Sequence, residues 1–366
     1  MYYVHQHPNW PHFLYDTERF ASKLGLLRSK QGKLLGRMYA LGFDLKGNAL
    51  LDTHTLDALK TSEIEGVLIN PEQVRSSVAK RLGVPYSGLK EPDRNVDALV
   101  EMLLDATRNY KEPLTKQRLF GWHSALFPSG YSGMYAIEVG KWRSDSTGPM
   151  QVVSGAMGKE KVHFEAPSAE RLDDEMDTFL AWFNAKDNLE PVLKAAIAHF
   201  WFVTIHPFDD GNGRLARAIT DLQLSKADDS ELRFYSMSAQ IRVERKQYYE
   251  VLEKTQKGNL DINPWLEWFF NCLDRALDHS QVHLKKVIDK AHFWQQHHET
   301  ILSERQRKVI NKLMGDFEGK LNTSKYAKMA KVSTDTALRD LTDLLQKGVL
   351  RKNSAGGRST AYELSL

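Results

Sequence analysis

The sequence predicts a mostly α protein: a helical core that carries one small β-hairpin, then a C-terminal winged helix-turn-helix. Three observations predict it. Apolar residues recur at helical spacing over most of the 366-residue chain. One stretch, residues 150–164, breaks that spacing and is punctuated by glycine. From about residue 303 the order becomes three helices and a terminal hairpin.

Along the chain, residues 26–38 read as a helix with Leu27, Leu34, Leu35 and Met38 among its apolar positions. A start and a stop bracket the next: Asn70 as N-cap, Pro71 at the first helical position, Gly83 just past the end. Residues 95–110, 169–184, 191–204, 213–227 and 265–279 have similar spacing. The exception is Met150-Gln151-Val152-Val153-Ser154-Gly155, a short strand. Gly155 and Gly158 serve as turn residues, and Val162-His163-Phe164 as the return strand. In the C-terminal stretch, residues 304–317 form a helix with Val309, Ile310, Leu313, Met314 and Phe317 on its apolar side. Residues 323–330 form a second. Ser333 caps a third, with Ala337, Leu338, Leu341, Leu344 and Leu345 inward and Gly348 at its end. Val349–Lys352 and Thr360–Leu364 flank Gly356-Gly357 as a hairpin. The expected domains are 1–90, 91–285 and 286–366.

Hydrophobic residues make up 42% and charged residues 27%, the balance of a soluble globular chain and not of a disordered one. A net charge of +3 gives no strong field toward nucleic acid or an acidic membrane. Cys272, the single cysteine, excludes an intrachain disulfide and sits in an apolar helical run as a small hydrophobe; a reducing, cytoplasmic compartment is expected. The N-terminus lacks the basic and apolar regions of a signal peptide, and no run of about 18 apolar residues predicts a membrane span. His297-His298-Glu299 lacks helical ligand pairing and reads as a solvated face, not a metal site.

Chemistry concentrates in His206-Pro207-Phe208-Asp209-Asp210-Gly211-Asn212-Gly213-Arg214-Leu215-Ala216-Arg217. An apolar helix ends near Thr204, a loop with one histidine and two aspartates follows, and a new helix starts at about Gly213. Gly211 and Gly213 permit close backbone approach. The first amides of the new helix, with its positive dipole end, suit a phosphate. Arg214 and Arg217, three apart, share a helix face near that end and suit a polyphosphate. An aspartate beside phosphate is a usual Mg²⁺ ligand. Histidine, with an ordinary pKa near ~6.5, can take a proton from an attacking hydroxyl.

These residues resemble the signature of the Fic family, His-Pro-Phe-x-(Asp/Glu)-Gly-Asn-Gly-Arg-x-x-Arg, at every fixed position. The resemblance implies a protein adenylyltransferase, which moves AMP from ATP to a Ser, Thr or Tyr hydroxyl of a protein and releases pyrophosphate. His206 would be the base and Asp210 the Mg²⁺ ligand. The loop amides of Gly211 and Gly213, with Asn212, would hold the α-phosphate, and Arg214 and Arg217 the β- and γ-phosphates. Gly140-Lys141-Trp142-Arg143 and the Met150–Gly155 strand resemble the family's flap, which docks the target segment by backbone pairing. His163-Phe164-Glu165-Ala166-Pro167 closes it. Tyr248, Tyr249 and Gln256 match the region lining the adenine and ribose pocket in relatives, where asparagine is the more familiar residue at position 256.

Thr61-Ser62-Glu63-Ile64-Glu65-Gly66 resembles the family's inhibitory pattern, (Ser/Thr)-x-x-x-Glu-(Gly/Asn). It implies that Glu65 pairs with Arg217 and withdraws the γ-phosphate clamp. Gly66 also fits a helix C-terminus. In some relatives the same glutamate supports removal of AMP. Residues 1–85 resemble the N-terminal region of one bacterial subgroup, through His7–Phe13, Gln31–Arg37 and Val74–Gly83. From residue 303 onward about thirteen lysines and arginines face about seven acids. That balance favours DNA contact through Arg339, Arg351, Lys352 and Arg358, against which Asp335, Asp340 and Asp343 would repel phosphate. Winged helices also bind proteins, a second copy of the chain included. A nucleotide-sensing transcriptional regulator is the rival to the enzyme; the intact His206 and Asp210 argue for the enzyme.

Overall fold

In the computed structural model, the structure describes residues 2–41, 43–85, 90–146, 148–155, 159, 161–314, 317, 319–353 and 360–365. The turn assignments to Gly158, Gly356 and Gly357, and the wing contact assigned to Arg358, lie outside the described residues. The chain divides into two compact units, Met1–Ser280 and Gln281–Leu366. The structure is mostly helical, as the periodicity predicts. Among the described residues no helix is long and apolar enough to cross a membrane.

In chain order the first unit holds α1 (Thr17–Tyr39), α2 (Phe43–Ile64), α3 (Pro71–Leu82), α4 (Arg94–Arg108) and α5 (Lys116–Leu126). Two hairpins follow, β1 (Tyr131–Ser132) with β2 (Tyr135–Ala136), and β3 (Gln151–Ser154) with β4 (Lys161–Glu165). Then come α6 (Leu172–Asn184), α7 (Pro191–Ile205), α8 (Asn212–Asp228), α9 (Met237–Val243) and α10 (Arg245–Gln256). The next helix, α11, runs Asn263–Gln296. Shorter predicted helices grew. The segment predicted over 26–38 is the second half of α1, which begins where Asp16 accepts a hydrogen bond from the Arg19 amide. Asn70 caps α3 by accepting from the Glu72 and Gln73 amides, and Gly83 ends it at φ 66°. Helix α2 carries its last buried residues, Thr61, Ser62 and Ile64, against the core and ends one residue before Glu65.

The centre is the pair α7 and α8. Every residue from Val192 to Ile205 is buried, so α7 has no polar face to offer water. Pro191 at its first position and the Glu190 carboxylate, which accepts from the Leu193 amide, start it. The predicted 150–155 strand and its return pair antiparallel, Val152 opposite Phe164, with a register shift between Val152 and Val153. Phe164 is buried beneath Tyr3 and His5, edge to face with ring centres 5.2 and 5.8 Å apart, and the His5 Nε2–H donates to the Glu165 carbonyl at 2.8 Å. The N-terminal segment thereby underpins the hairpin.

The second unit contains α12 (Glu304–Leu313), α13 (Thr323–Ala330), α14 (Thr334–Gln346), and β5 (Leu350–Lys352) paired antiparallel with β6 (Tyr362–Leu364). Its core gathers Val309, Ile310, Leu321, Tyr326, Leu341, Leu344 and Val349. Helix α12 stops at Leu313, short of the predicted 317, yet Phe317 still packs on that core. Leu338, expected inward, is half exposed, because Ala337 and Leu341 occupy the inner face of α14. His297 is buried against the Phe293 ring at 4.5 Å and so departs from a solvated face. Cys272 is fully buried, and burial raises its thiol pKa well above the ordinary value.

Candidate active site

Helix α7 ends at His206, which adopts φ 52°, a left-handed conformation that costs a non-glycine residue about 1–2 kcal/mol. The surroundings hold it there. The His206 amide donates to the Phe202 carbonyl, and the buried Arg143 donates through Nε to the His206 carbonyl at 2.8 Å. Arg143 also binds the Pro167 carbonyl and the Asp145 carboxylate, and its own amide donates to the Pro207 carbonyl. His206 Nδ1 lies 3.2 Å from the Val203 carbonyl. A carbonyl only accepts, so Nδ1 carries the proton and Nε2 keeps its lone pair. Burial lowers the His206 pKa to about 4, with Arg143 acting in the same direction, so the ring is neutral near pH 7. The arrangement is that of a base ready to accept a proton.

The loop from 207 to 211 is held from three sides. Phe208 is fully buried, stacked on His123 with ring centres 4.2 Å apart and against Trp142 and Phe120. The Asn212 side chain accepts from the Phe208 amide at 3.0 Å and donates to its carbonyl at 2.7 Å. Its amide group is therefore engaged within the loop, and its backbone N–H is what remains for a ligand. The Asp209 carboxylate accepts from the Glu138 amide at 2.7 Å. Asp210 accepts from the Gly211 amide and from the Ser132 hydroxyl of the first hairpin. Gly211 takes φ 83°, where a Cβ would also lie 2.9 Å from the Phe127 ring. No side chain caps α8 at Gly211.

An anion already stands at that uncapped end. A Cβ on Gly213 would collide with Glu65 Oε1, which places the Glu65 carboxylate directly over the first turn of α8. The same oxygen accepts from Arg217 Nη2 at 2.7 Å. Arg217 further donates through Nε to the Thr61 hydroxyl at 2.7 Å and through Nη2 to the Thr61 carbonyl at 3.0 Å. Arg217 is 1% exposed and the Glu65 side chain 29%. Burial disfavours the Arg217 charge, but the Glu65 carboxylate together with Tyr248 and Tyr249 outweighs it and the pKa rises. Arg214 is different: burial lowers its pKa, its Nε lacks a partner among the described residues, and its guanidinium lies 4.8 Å from the centre of the Phe127 ring.

Most of the sequence-predicted residues meet in one cavity of about 1020 Å³. Its walls include Glu65, His206, Asp210, Asn212 and Gly213, together with Met150–Ser154, Tyr248, Tyr249 and Gln256. Gly155, Gly211, Arg214 and Arg217 are not on those walls. Tyr248 is buried with its hydroxyl on His199; Tyr249 is half exposed beneath the Arg245 guanidinium. Gln256 donates to the Thr204 hydroxyl at 3.2 Å. The hairpin is tied to α10 by His163, whose Nδ1 meets Glu253 at 2.6 Å and whose Nε2 meets the Ser154 hydroxyl. Ser132, His123 and His199 carry no local sequence signal, because their partners lie tens of residues away. For divalent metal, Asp210 offers hard carboxylate oxygens on the cavity wall beside an anion-holding helix end, a donor set that fits Mg²⁺.

Comparison with known proteins bears on this site. Residues 113–224 match the family described as Fic/DOC family, and residues 3–84 match a domain of unknown function, DUF4172. The Fic/DOC match contains the 206–217 loop. It is 28% identical over 253 residues to the "Protein adenylyltransferase Fic" of Culex quinquefasciatus, covering 64% of this chain and 46% of that protein. With the protein of that name from Drosophila grimshawi it is 35% identical over 105 residues, 28% of this chain and 20% of the other. The chain spans about half the length, or less, of the curated relatives it matches. Among solved structures it is similar in fold to a Fic family protein from Desulfovibrio desulfuricans G20, with a TM-score of 0.54 and 20% identity over 94% of this chain and 96% of the other. A Fic domain containing signaling protein from Bacteroides thetaiotaomicron gives 0.53 and 21%, over 72% of this chain and 97% of the other.

Proposed function

We propose that this chain is a protein adenylyltransferase that transfers AMP from ATP to a Ser, Thr or Tyr hydroxyl of a protein, restrained by the pairing of Glu65 with Arg217. The observation that carries the reading is the meeting, in one cavity, of a neutral His206 with an open Nε2, the Asp210 carboxylate, and the uncapped start of α8 with an anion already on it.

The acceptor hydroxyl attacks the α-phosphorus and gives its proton to His206 Nε2. The bond from that phosphorus to the bridging oxygen breaks, and pyrophosphate leaves. The amides of Asn212 and Gly213 hold the developing charge on the α-phosphate, the Gly211 amide being engaged by Asp210, while Arg214 and Arg217 hold the leaving phosphates. Asp210 would hold Mg²⁺, which neutralises phosphate charge when bound. The β3–β4 hairpin docks the acceptor segment through the backbone of Met150–Gly155. Glu65 opposes all of this by occupying the helix end and its arginine together. Transfer of label from α-labelled ATP with Mg²⁺ tests the reading. Labelling is expected to be strong for Glu65→Gly, weak for the unaltered chain and absent for Glu65→Gly combined with His206→Ala; equal labelling by Glu65→Gly with and without His206→Ala overturns it.

For the second unit we favour DNA contact. Two of the three acids on α14 are neutralised within the unit: Asp340 by Arg305 at 2.7 and 2.9 Å, Asp343 by Lys347 at 2.6 Å. Arg339, Arg351 and Lys352 remain exposed, Arg351 in an ion pair with Glu363 at 2.9 Å. Duplex DNA binding that weakens with salt and with Arg339→Glu is the expected result; binding unaffected by either contradicts it.

A further inference from the structure

A buried chain of hydrogen bonds behind the cavity is used by none of the steps above. The Thr220 hydroxyl lies 2.8 Å from the Ala216 carbonyl, which can only accept, so that is where its proton goes. His199 Nδ1 lies 2.9 Å from Thr220 Oγ1 and must therefore be the donor there. His199 Nε2 is left with its lone pair, and it lies 2.9 Å from the Tyr248 hydroxyl. Tyr248 consequently donates to His199 and turns its own lone pairs outward. Burial lowers the His199 pKa to about 3, so the ring stays neutral and the order of donors does not change near pH 7. All three side chains are fully buried, so no water competes.

Burial raises the pKa of the Tyr248 hydroxyl, and the positive charge of Arg217 opposes that rise. Arg217 Nη1 is buried and has no hydrogen-bond partner among the described residues. The hydrogen bonds that Arg217 does make, through Nε and Nη2, all go to Thr61 and Glu65 at the end of α2 and just beyond it. When Glu65 lets go, Arg217 keeps its orientation only if something off α2 holds it.

We infer that Thr220, His199 and Tyr248 form a one-way hydrogen-bond chain that fixes Tyr248 as an acceptor for Arg217, and so positions Arg217 for the terminal phosphate of a nucleoside triphosphate. Tyr248 is then a positioning residue, not a contact to the base. Thr220 sets the direction of the chain. Without its hydroxyl, His199 can take the other tautomer, donate to Tyr248, and leave that hydroxyl's proton facing a cation. The inference rests on the reading of Arg217 as a phosphate clamp.

The test measures binding, not transfer. With Glu65→Gly as background, the full chain is titrated calorimetrically with Mg²⁺ and the α,β-methylene analogues of ATP and ADP, which block transfer at the α-phosphorus. The triphosphate is expected to bind more tightly than the diphosphate. Tyr248→Phe and Thr220→Val should cut that preference about tenfold, the loss of one hydrogen bond to a charged group. Thr220→Ser, which keeps the hydroxyl, should retain it. A preference unchanged by Tyr248→Phe overturns the positioning chain and leaves the nucleotide site standing. No binding of either analogue overturns both. Nitrogen NMR of His199 in the unaltered chain needs no variant: a proton on Nδ1 is expected, and a proton on Nε2 contradicts the chain.

Discussion

Replacing Glu65 with glutamine keeps the bulk of the side chain over α8 and removes only its charge. In the structure that charge meets the buried Arg217 guanidinium at 2.7 Å, with the carboxylate side chain 29% exposed. A hydrogen bond between ionised partners is worth roughly 1.5–3 kcal/mol net, and about twice a neutral one. The glutamine can still offer Arg217 a neutral acceptor, and solvent screens part of the original pair, so the loss is about 1–2 kcal/mol. An energy of that size changes an equilibrium by a factor of roughly 5–30. Because a nucleotide must displace Glu65 from Arg217, its apparent affinity should rise by that factor. Calorimetric titration with Mg²⁺ and the triphosphate analogue reads it directly. Glu65→Gly, which removes the acceptor as well, should tighten binding further. If Glu65→Gln binds the triphosphate within twofold of the unaltered chain while Glu65→Gly binds it far more tightly, bulk and not charge blocks the site, and the electrostatic account is wrong.

Other consequences follow from groups near or behind the cavity. His54, His123 and His206 have pKa values lowered to about 4 and His199 to about 3, each chiefly by burial. The unfolded chain binds protons at these positions from about pH 6.5 downward while the folded chain does not. Their contribution to stability is therefore complete above that pH and falls as pH drops toward 4, which thermal unfolding midpoints across the window would show. Asn212→Ala leaves the buried Phe208 amide and carbonyl without partners, at a cost of about 2–4 kcal/mol in chemical denaturation. An unchanged unfolding midpoint would refute that role. Cys272 should resist a thiol reagent in the native protein and react after denaturation.

The helical class and most element positions were legible because apolar spacing and capping residues are local. Asn70, Pro71 and Gly83 bound α3 where the sequence places it. The 206–217 loop was legible for another reason: a base, carboxylates, glycines and arginines fall together in twelve residues. What lay beyond reading was long-range. Nothing around Ser132 points to Asp210, 78 residues on, and nothing around His199 points to Tyr248, 49 residues on. Asn212 looked like a ligand contact, but its side chain closes the loop that presents the site. Leu338 fits the apolar pattern of α14 and is nevertheless half exposed, since a period of 3.6 fixes a face only to within one residue.

The central claim is that the cavity transfers AMP and that His206 receives the proton. The most direct measurement compares label from α-labelled and γ-labelled ATP, with Mg²⁺, incorporated into protein by Glu65→Gly and by Glu65→Gly combined with His206→Ala, in lysate and on the chain itself. Covalent label is expected from the α position only, and is expected to be lost with His206→Ala while nucleotide binding persists. Label from the γ position, or undiminished α-label without His206, would contradict it.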